Sequence, residues 1–322
     1  MSDTGTGSWA FPIGAFRCLA IEDGAFPYSA AQFFPDAPEG RRAAALRRHG
    51  LQPEPPATIA SPWTCVLVDT GTHRVLLDTG GGGQAADLVP GTGTLRRRLA
   101  AAGVAPETVD AVVLTHGHAD HIGGLTDAAG GLAFPDARHV MARDEWAFWT
   151  DEATLTRLEA SGDHLQQFLA AVARRNLPPL RDRLELLGPK ALGGEAEVVP
   201  GVRALPAPGH TPGHLAVAVA SAGAQLLYLA DTVLHPIHVE EPDWYPVFDL
   251  LPEQAAATKR RLLARAAADR ALVHAFHFPF PGLGHVRAAG TGWAWEPWEV
   301  PGPPGAEGSP PAPEAPEAHH ER

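Results

Sequence analysis

Seven consecutive residues constrain this chain more than anything else in it: Thr115-His116-Gly117-His118-Ala119-Asp120-His121, directly after an apolar, β-branched run at 109–114. His116 and His118 are two apart, so in an extended segment their imidazoles point the same way. Asp120 and His121 follow as the chain turns, and four ligand-type side chains therefore leave the carboxyl end of one strand, where α/β folds place their sites. The bland alternative is a loop of solvated polar residues, but an H-x-H-x-D-H pattern arises by chance in only roughly one chain of this size in several hundred. Imidazole nitrogen with carboxylate oxygen suits Zn²⁺, Fe or Mn²⁺. Four ligands within seven residues do not easily surround one ion, and two adjacent ions are the natural solution.

Further ligands are expected from other loops at the same edge. Ala207-Pro208-Gly209-His210-Thr211-Pro212-Gly213-His214 lies between two expected strands, and its Gly and Pro residues fix a rigid turn that presents His210. Asp231 ends the apolar run 226–230, and His277 ends the run 271–276 in the same manner. Each alone reads equally well as a turn residue, a helix cap or a satisfied histidine; their common placement at strand ends is what joins them to the first motif.

Strands are expected at 16–22, 64–69, 74–78, 109–115, 139–142, 198–199, 202–205, 215–220, 226–230, 271–276 and 293–298, with Thr70-Gly71-Thr72-His73 as a hairpin turn. Helices are expected at 95–102, from 144, across 151–176 and at 252–268. The order is β-rich, α, β-rich, α. This predicts an α/β protein built as a four-layer αβ/βα sandwich of two β/α halves, not a single Rossmann sheet. Residues 1–14 read as an N-terminal extension, 15–300 as the domain, and 301–322, mostly Pro, Ala, Glu and Gly without apolar periodicity, as a disordered acidic tail. Residues 23–62 read as an active-site cap or a dimerisation arm, with a homodimer as the assembly in the second case.

Composition narrows the function classes. The 322 residues carry 25 Lys and Arg against 37 Asp and Glu, a net charge of −12, which disfavours general nucleic-acid binding. Two cysteines, Cys18 and Cys65, cannot form a disulfide framework and read as core residues. Neither a signal peptide nor an apolar run of the ~18 residues needed to span a membrane is evident, so a soluble, cytoplasmic protein is expected.

The motif Thr115–His121, the turn at 208–214, Asp231, His277 and the hairpin segment VLLDTG at 75–80 together resemble the metallo-β-lactamase-fold hydrolases. The segments at 23–62, 230–244 (ADTVLHPIHVEEPDW) and 276–285 (FHFPFPGLGH) are similar to the branch containing methyl parathion hydrolase and the acyl-homoserine lactonases. The resemblance implies two divalent ions, zinc first, with Mn, Co or Fe also accepted. It implies His116, His118 and His210 on one ion, Asp120, His121 and His277 on the other, and Asp231 bridging. Several such lactonases have a tyrosine three residues after the bridging aspartate; here that residue is Leu234, followed by His235.

Two such ions would share a water and lower its pKa towards neutrality, and the resulting hydroxide would attack a carbonyl carbon or a phosphorus centre. Asp120 is the expected catalytic residue, orienting the hydroxide and passing a proton to the departing alkoxide. Phe26, Tyr28, Phe33 and Phe34 are expected to fold over the site, Trp146 and Trp149 to wall it, and His235 and His285 to touch substrate or orient a ligand. The function expected is hydrolysis of small apolar lactones or esters, acyl-homoserine lactones among them, which would be quorum quenching. A phosphotriesterase is the alternative, followed by a mononuclear-iron persulfide dioxygenase and a non-catalytic metal-binding scaffold.

Overall fold

The computed structural model describes residues 7–54, 57–188, 194–290 and 292–298. They form two seven-stranded sheets, each in simple order along the chain. The first runs β1 (Ser8–Ile13), β2 (Phe16–Ser29), β3 (Thr58–Asp69), β4 (Arg74–Leu77), β5 (Ala111–Val113), β6 (Arg138–Ala142) and β7 (Leu184–Leu187). Its first four strands are antiparallel and its last four, from β4 on, parallel. The second contains β8 (Ala196–Val199), β9 (Val202–Pro206), β10 (Leu215–Ser221), β11 (Ala224–Tyr228), β12 (Leu272–His274), β13 (Leu283–Ala289) and β14 (Gly292–Pro297); only β11 and β12 pair in parallel.

Parallel neighbours need long crossovers, and the crossovers supply the outer layers. Helices Leu95–Ala101 and His164–Asn176 bury Leu95, Leu99, Ala170 and Val172 in one core with Val66, Val68 and Val112 of the first sheet and Val202, Val217 and Leu226 of the second. Helix Pro252–Asp269 lays Leu262, Leu263 and Ala266 over Leu205, Leu227 and Val273. Full burial of one such leucine is worth ~1.5–3 kcal/mol. The result is the expected four-layer αβ/βα sandwich.

Several boundaries differ from the sequence reading. Ser8–Ile13 was expected outside the domain but pairs along its whole length with β2, because Trp9, Phe11 and Ile13 alternate into the core. The expected helix over 151–176 is two helices, Glu152–Glu159 and His164–Asn176. Gly162 takes φ +72° between them, and the Asp163 carboxylate accepts from Leu165 N–H to start the second. β7 and β13 were not anticipated: β7 is short, and β13 (LGHVRAA) is only partly apolar and exposed over its last residues. The acidic stretch 301–322 lies outside the described residues.

Residues 23–62 form the distal half of the long β2/β3 hairpin with helices Ala30–Phe33 and Glu39–Arg48 between the strands. A bulge between Glu22 and Gly24 turns Asp23 out of the ladder. Its buried carboxylate then accepts from the N–H groups of Gly81, Gly93 and Leu95, tying the hairpin to the start of helix Leu95–Ala101. The two helices pack on their own chain: Phe33, Phe34, Leu46 and Ile59 form a satellite core with Leu234, Ile237 and Trp244.

His274 is buried in β12 with its ring stacked on Tyr228, 5.1 Å between centroids. Burial lowers its pKa to about 3, against 6.5 when exposed. The unfolded chain therefore binds this proton more readily than the native one between pH 6.5 and 3. The stability it supports is complete above pH 6.5 and is lost on acidification through that window. We expect denaturant unfolding of chelator-treated protein to lose stability below pH 6.5 by about 1.4 kcal/mol per pH unit more in the wild type than in His274→Phe. Parallel pH profiles for the two proteins would contradict this.

Candidate metal centre

Four loops leave the carboxyl ends of β5, β9, β11 and β12 and meet at one edge of the sandwich. They carry His116, His118, Asp120 and His121; His210; Asp231; and His277. The structure brings all seven side chains together in two groups, His116, His118, His210 and Asp231, and Asp120, His121 and His277. Within each group the candidate ligand atoms lie within 4.8 Å of one another. His118 Nδ1 and His210 Nε2 are 3.0 Å apart. Asp231 joins the groups: Oδ2 lies 3.3 Å from His210 Nε2, 3.7 Å from His116 Nε2 and 3.2 Å from His277 Nε2, and Oδ1 lies 3.2 Å from His121 Nε2. Asp120 Oδ2 lies 3.4 Å from His277 Nε2.

On His116, His121, His210 and His277 the ring nitrogen facing away from this space is held by another residue. Asp78 Oδ2 lies 2.9 Å from His121 Nδ1, while the same carboxylate accepts from Tyr228 Oη–H and from Thr115 N–H and Oγ1–H. Asp249 Oδ1 lies 2.7 Å from His210 Nδ1. Ser61 Oγ lies 2.9 Å from His277 Nδ1, and Thr115 Oγ1 lies 3.1 Å from His116 Nδ1. His214 is not among the seven. Its Nδ1 faces Ala207 O and its Nε2 accepts from Asp231 N–H, which fixes the backbone that carries the bridging carboxylate.

The electrostatics divide the imidazoles. Burial, together with neighbouring rings, lowers the pKa of His116 and of His118 well below 6.5. Burial also opposes protonation of His121 and His210, but carboxylates outweigh it: Asp231, Asp78 and Asp120 raise His121 well above its usual value, and Asp231 and Asp249 push His210 up to about 9. Burial works against the Asp231 carboxylate too, yet His121, His277 and His116 hold it well below the usual carboxylate range.

The chemistry of these residues fits divalent metal. His116 Nε2, His121 Nε2 and Asp231 Oδ1 are buried with no hydrogen-bond partner among the described residues, and all three face the shared space. Orphaned buried polar atoms are costly. Neutral imidazole lone pairs converging with carboxylates are instead the donor set a borderline-soft cation takes. Each outer nitrogen with an oxygen partner follows the usual support of a metal-bound imidazole. No lysine or arginine pairs with Asp78, Asp120, Asp231 or Asp249 among the described residues, so the negative charge is left for a bound cation.

Of the eight expected substrate contacts, two face the cavities at the centre. A space of about 160 Å³ is bounded by Tyr28, His118, Asp120, His210, Asp231, Leu234, Phe248 and His277. A neighbouring one of about 300 Å³ shares Tyr28, Asp120, Leu165 and Leu169 with it and continues along Phe26, Trp63, Leu88, Val89 and Phe168. Phe33 and Phe34 are instead wholly buried in the satellite core, where hairpin helices need an apolar anchor. Trp149 is buried beneath the His118 ring and donates to Glu145, and Trp146 packs half-buried on the main core. His235 is buried beside Phe34 and His49, its Nδ1 accepting from Ile237 N–H, away from both cavities. His285 lies on β13 in a separate shallow groove with Arg270, Nδ1 against Ala271 O.

Sequence reasoning missed Asp78, Asp249, Ser61, Glu145, His214 and Tyr228. Asp78 stood within the quoted VLLDTG segment, and its φ of +63° marks a special position only once the backbone is seen. Asp249 lies in an irregular loop whose link to His210 is purely tertiary.

A two-sheet sandwich with a His/Asp cluster at one edge defines a metallohydrolase-type architecture. The family profile of the Metallo-beta-lactamase superfamily matches residues 61–277, and the chain belongs to that superfamily. Among solved structures it is similar to the hydrolase AbOPH of the beta-lactamase superfamily: 25% identity, TM-score 0.81, covering 91% of this chain and 98% of that one. It is equally similar to AidC, a dizinc quorum-quenching lactonase solved with a product: 25% identity, TM-score 0.80, and the same coverage of 91% and 98%. A curated mouse relative, Metallo-beta-lactamase domain-containing protein 1, is 46% identical over 70 residues, so the chain spans about a fifth (22%) of that protein's length.

Asp249 both orients the His210 ring and raises its basicity. We expect Asp249→Asn to weaken zinc binding about 10- to 100-fold in competition with a chromophoric chelator. Unchanged affinity would mean that the 2.7 Å contact has no part in holding a cation.

Proposed function

We propose that this chain is a dinuclear metal-dependent hydrolase of small, neutral, apolar lactones and esters, acyl-homoserine lactones among them. One observation carries the reading: the His/Asp cluster opens into a cavity that continues, past Tyr28, into an apolar groove, and neither lining includes a lysine or arginine among the described residues. Away from the cluster itself, a charged phosphate or carboxylate would find no lysine or arginine among the described lining residues. A neutral carbonyl with an apolar chain would place its polar end over the cluster and its chain along Phe26, Trp63, Val89 and Phe168. The likeness to AidC supports the lactone reading, and the likeness to AbOPH supports hydrolysis more broadly.

His116, His118 and His210 would hold one cation, Asp120, His121 and His277 the other, with Asp231 between them. Zinc is the expected metal, and Mn, Co or Fe suit the same donors. When bound, the pair supplies Lewis acidity towards the substrate's carbonyl oxygen and lowers the pKa of a water towards neutrality. Asp120 is the more exposed carboxylate of the cluster, 13% accessible against 3% for Asp231, and it borders both cavities. It is therefore placed to orient the attacking water and pass its proton to the departing alkoxide. Leu234 borders the cavity at the position where some lactonases carry a tyrosine, and contributes shape without a hydrogen bond. Buried, unpaired Cys18 and Cys65 suit a reducing cytoplasm, and no described helix is long and apolar enough to cross a membrane.

The test is a panel of acyl-homoserine lactones, δ-lactones, aryl esters and paraoxon-type triesters, run before and after chelation. We expect kcat/KM on lactones to rise with acyl length by about fourfold per buried methylene until the groove is filled. That slope should flatten in Phe168→Ala, and Asp120→Asn should lower kcat by about 10²–10⁴. Activity confined to the triesters would instead make this a phosphotriesterase. A zinc-loaded protein inert towards every ester, lactone and thioester would overturn the reading.

A further inference from the structure

Glu145 lies in the first turn of helix Arg143–Thr150 and is wholly buried, yet no arginine or lysine pairs with it among the described residues. Its charge is met by neutral donors. Oε1 accepts from Gly117 N–H at 2.9 Å and from the Trp149 indole N–H at 2.7 Å, and Oε2 accepts from Gly213 N–H at 2.9 Å. The two backbone donors are spacers of the two histidine motifs. Gly117 separates His116 from His118, and Gly213 belongs to the turn that presents His210.

Both glycines are there for close approach. A Cβ on Gly117 would lie 2.2 Å from Trp149 Cδ1, and one on Gly213 would lie 2.3 Å from Glu145 N. Each loop is thus pressed against the same helix, Gly213 at its first turn and Gly117 at its last, and one carboxylate spans them. Burying a carboxylate costs several kcal/mol unless its lone pairs are filled, so the arrangement persists only with both loops in place.

We propose that Glu145 is a positioning residue that sets the distance between the two loops of the first cation subsite, His116, His118 and His210, without touching a ligand side chain. The proposal rests on the metal-centre reading above. The second subsite has further anchors that do not involve Glu145: Thr79 N–H and Oγ1–H both bond His121 O, Asp78 holds the His121 ring, and Ser61 holds His277. Glu145→Gln keeps the shape but sets an NH₂ group where one oxygen accepted. With the amide oxygen facing its two donors, the Gly213 N–H loses its acceptor and the His210 turn is released.

Stepwise zinc affinities of full-length wild type, Glu145→Gln and Trp149→Phe, read by competition with a chromophoric chelator, test this. We expect Glu145→Gln to weaken one of the two steps about 10- to 100-fold and leave the other within about twofold. The visible spectrum of the Co²⁺-loaded protein should change for one ion only. Trp149→Phe removes the third donor but keeps both loop bonds, and should leave both steps within about twofold. In the wild type, the Gly117 and Gly213 amides should be among the slowest to exchange in the loops, a readout that does not require the variant to fold. Both affinities unchanged, both weakened in parallel, Trp149→Phe matching Glu145→Gln, or rapid exchange of the two amides would each overturn the proposal. A wild type that binds no zinc but keeps both amides protected would instead overturn the metal-centre reading.

Discussion

The site depends on convergence of largely buried donor atoms in one small space. Imidazoles and carboxylates from four loops face one another at 3.0–3.7 Å, and several have no protein partner there. Protons satisfy only part of this arrangement: the carboxylates favour protonation of His121 and His210, whereas burial and neighbouring rings oppose it at His116 and His118. The arrangement becomes favourable when a compact positive charge takes the lone pairs. The oxygens of Asp78, Asp249, Ser61 and Thr115 serve this end by aiming the rings inward.

The two-sheet frame makes such convergence affordable. β5 belongs to the first sheet and β9, β11 and β12 to the second, so packing the sheets face to face brings four strand ends to one edge. The same frame builds the cavity. The hairpin that contains 23–62 delivers Phe26 and Tyr28 from β2 and Trp63 from β3. The 245–251 loop contributes Val247, Phe248 and Leu250 while its Asp249 holds His210. A residue that shapes the substrate space and one that orients a candidate ligand are therefore neighbours on one short loop.

The sequence carried the strand-end chemistry clearly, because His116, His118, Asp120 and His121 are close in the chain, His210 sits in a Gly- and Pro-fixed turn between two apolar runs, and Asp231 and His277 each end an apolar run. It carried the layer order for the same reason, through apolar runs interrupted by Gly and Pro. Contacts over long sequence separation were not legible. Phe33 and Phe34 looked like cavity aromatics, and only the fold shows that their helix needs them against Ile237 and Trp244. Trp149 looked like a wall, but its neighbour Gly117 has no side chain and lets it slide beneath the motif. Glu145, an ordinary glutamate in a helical pattern, gave no signal at all, since its importance lies in two backbone amides on distant loops.

The hydrolase reading stands or falls on the pair of cations. Elemental analysis of the full-length protein, equilibrated with zinc and freed of excess, measures that directly. The account predicts two ions per chain, both removed by a strong chelator and both restored on readdition. A single ion, or none, at saturation would contradict it.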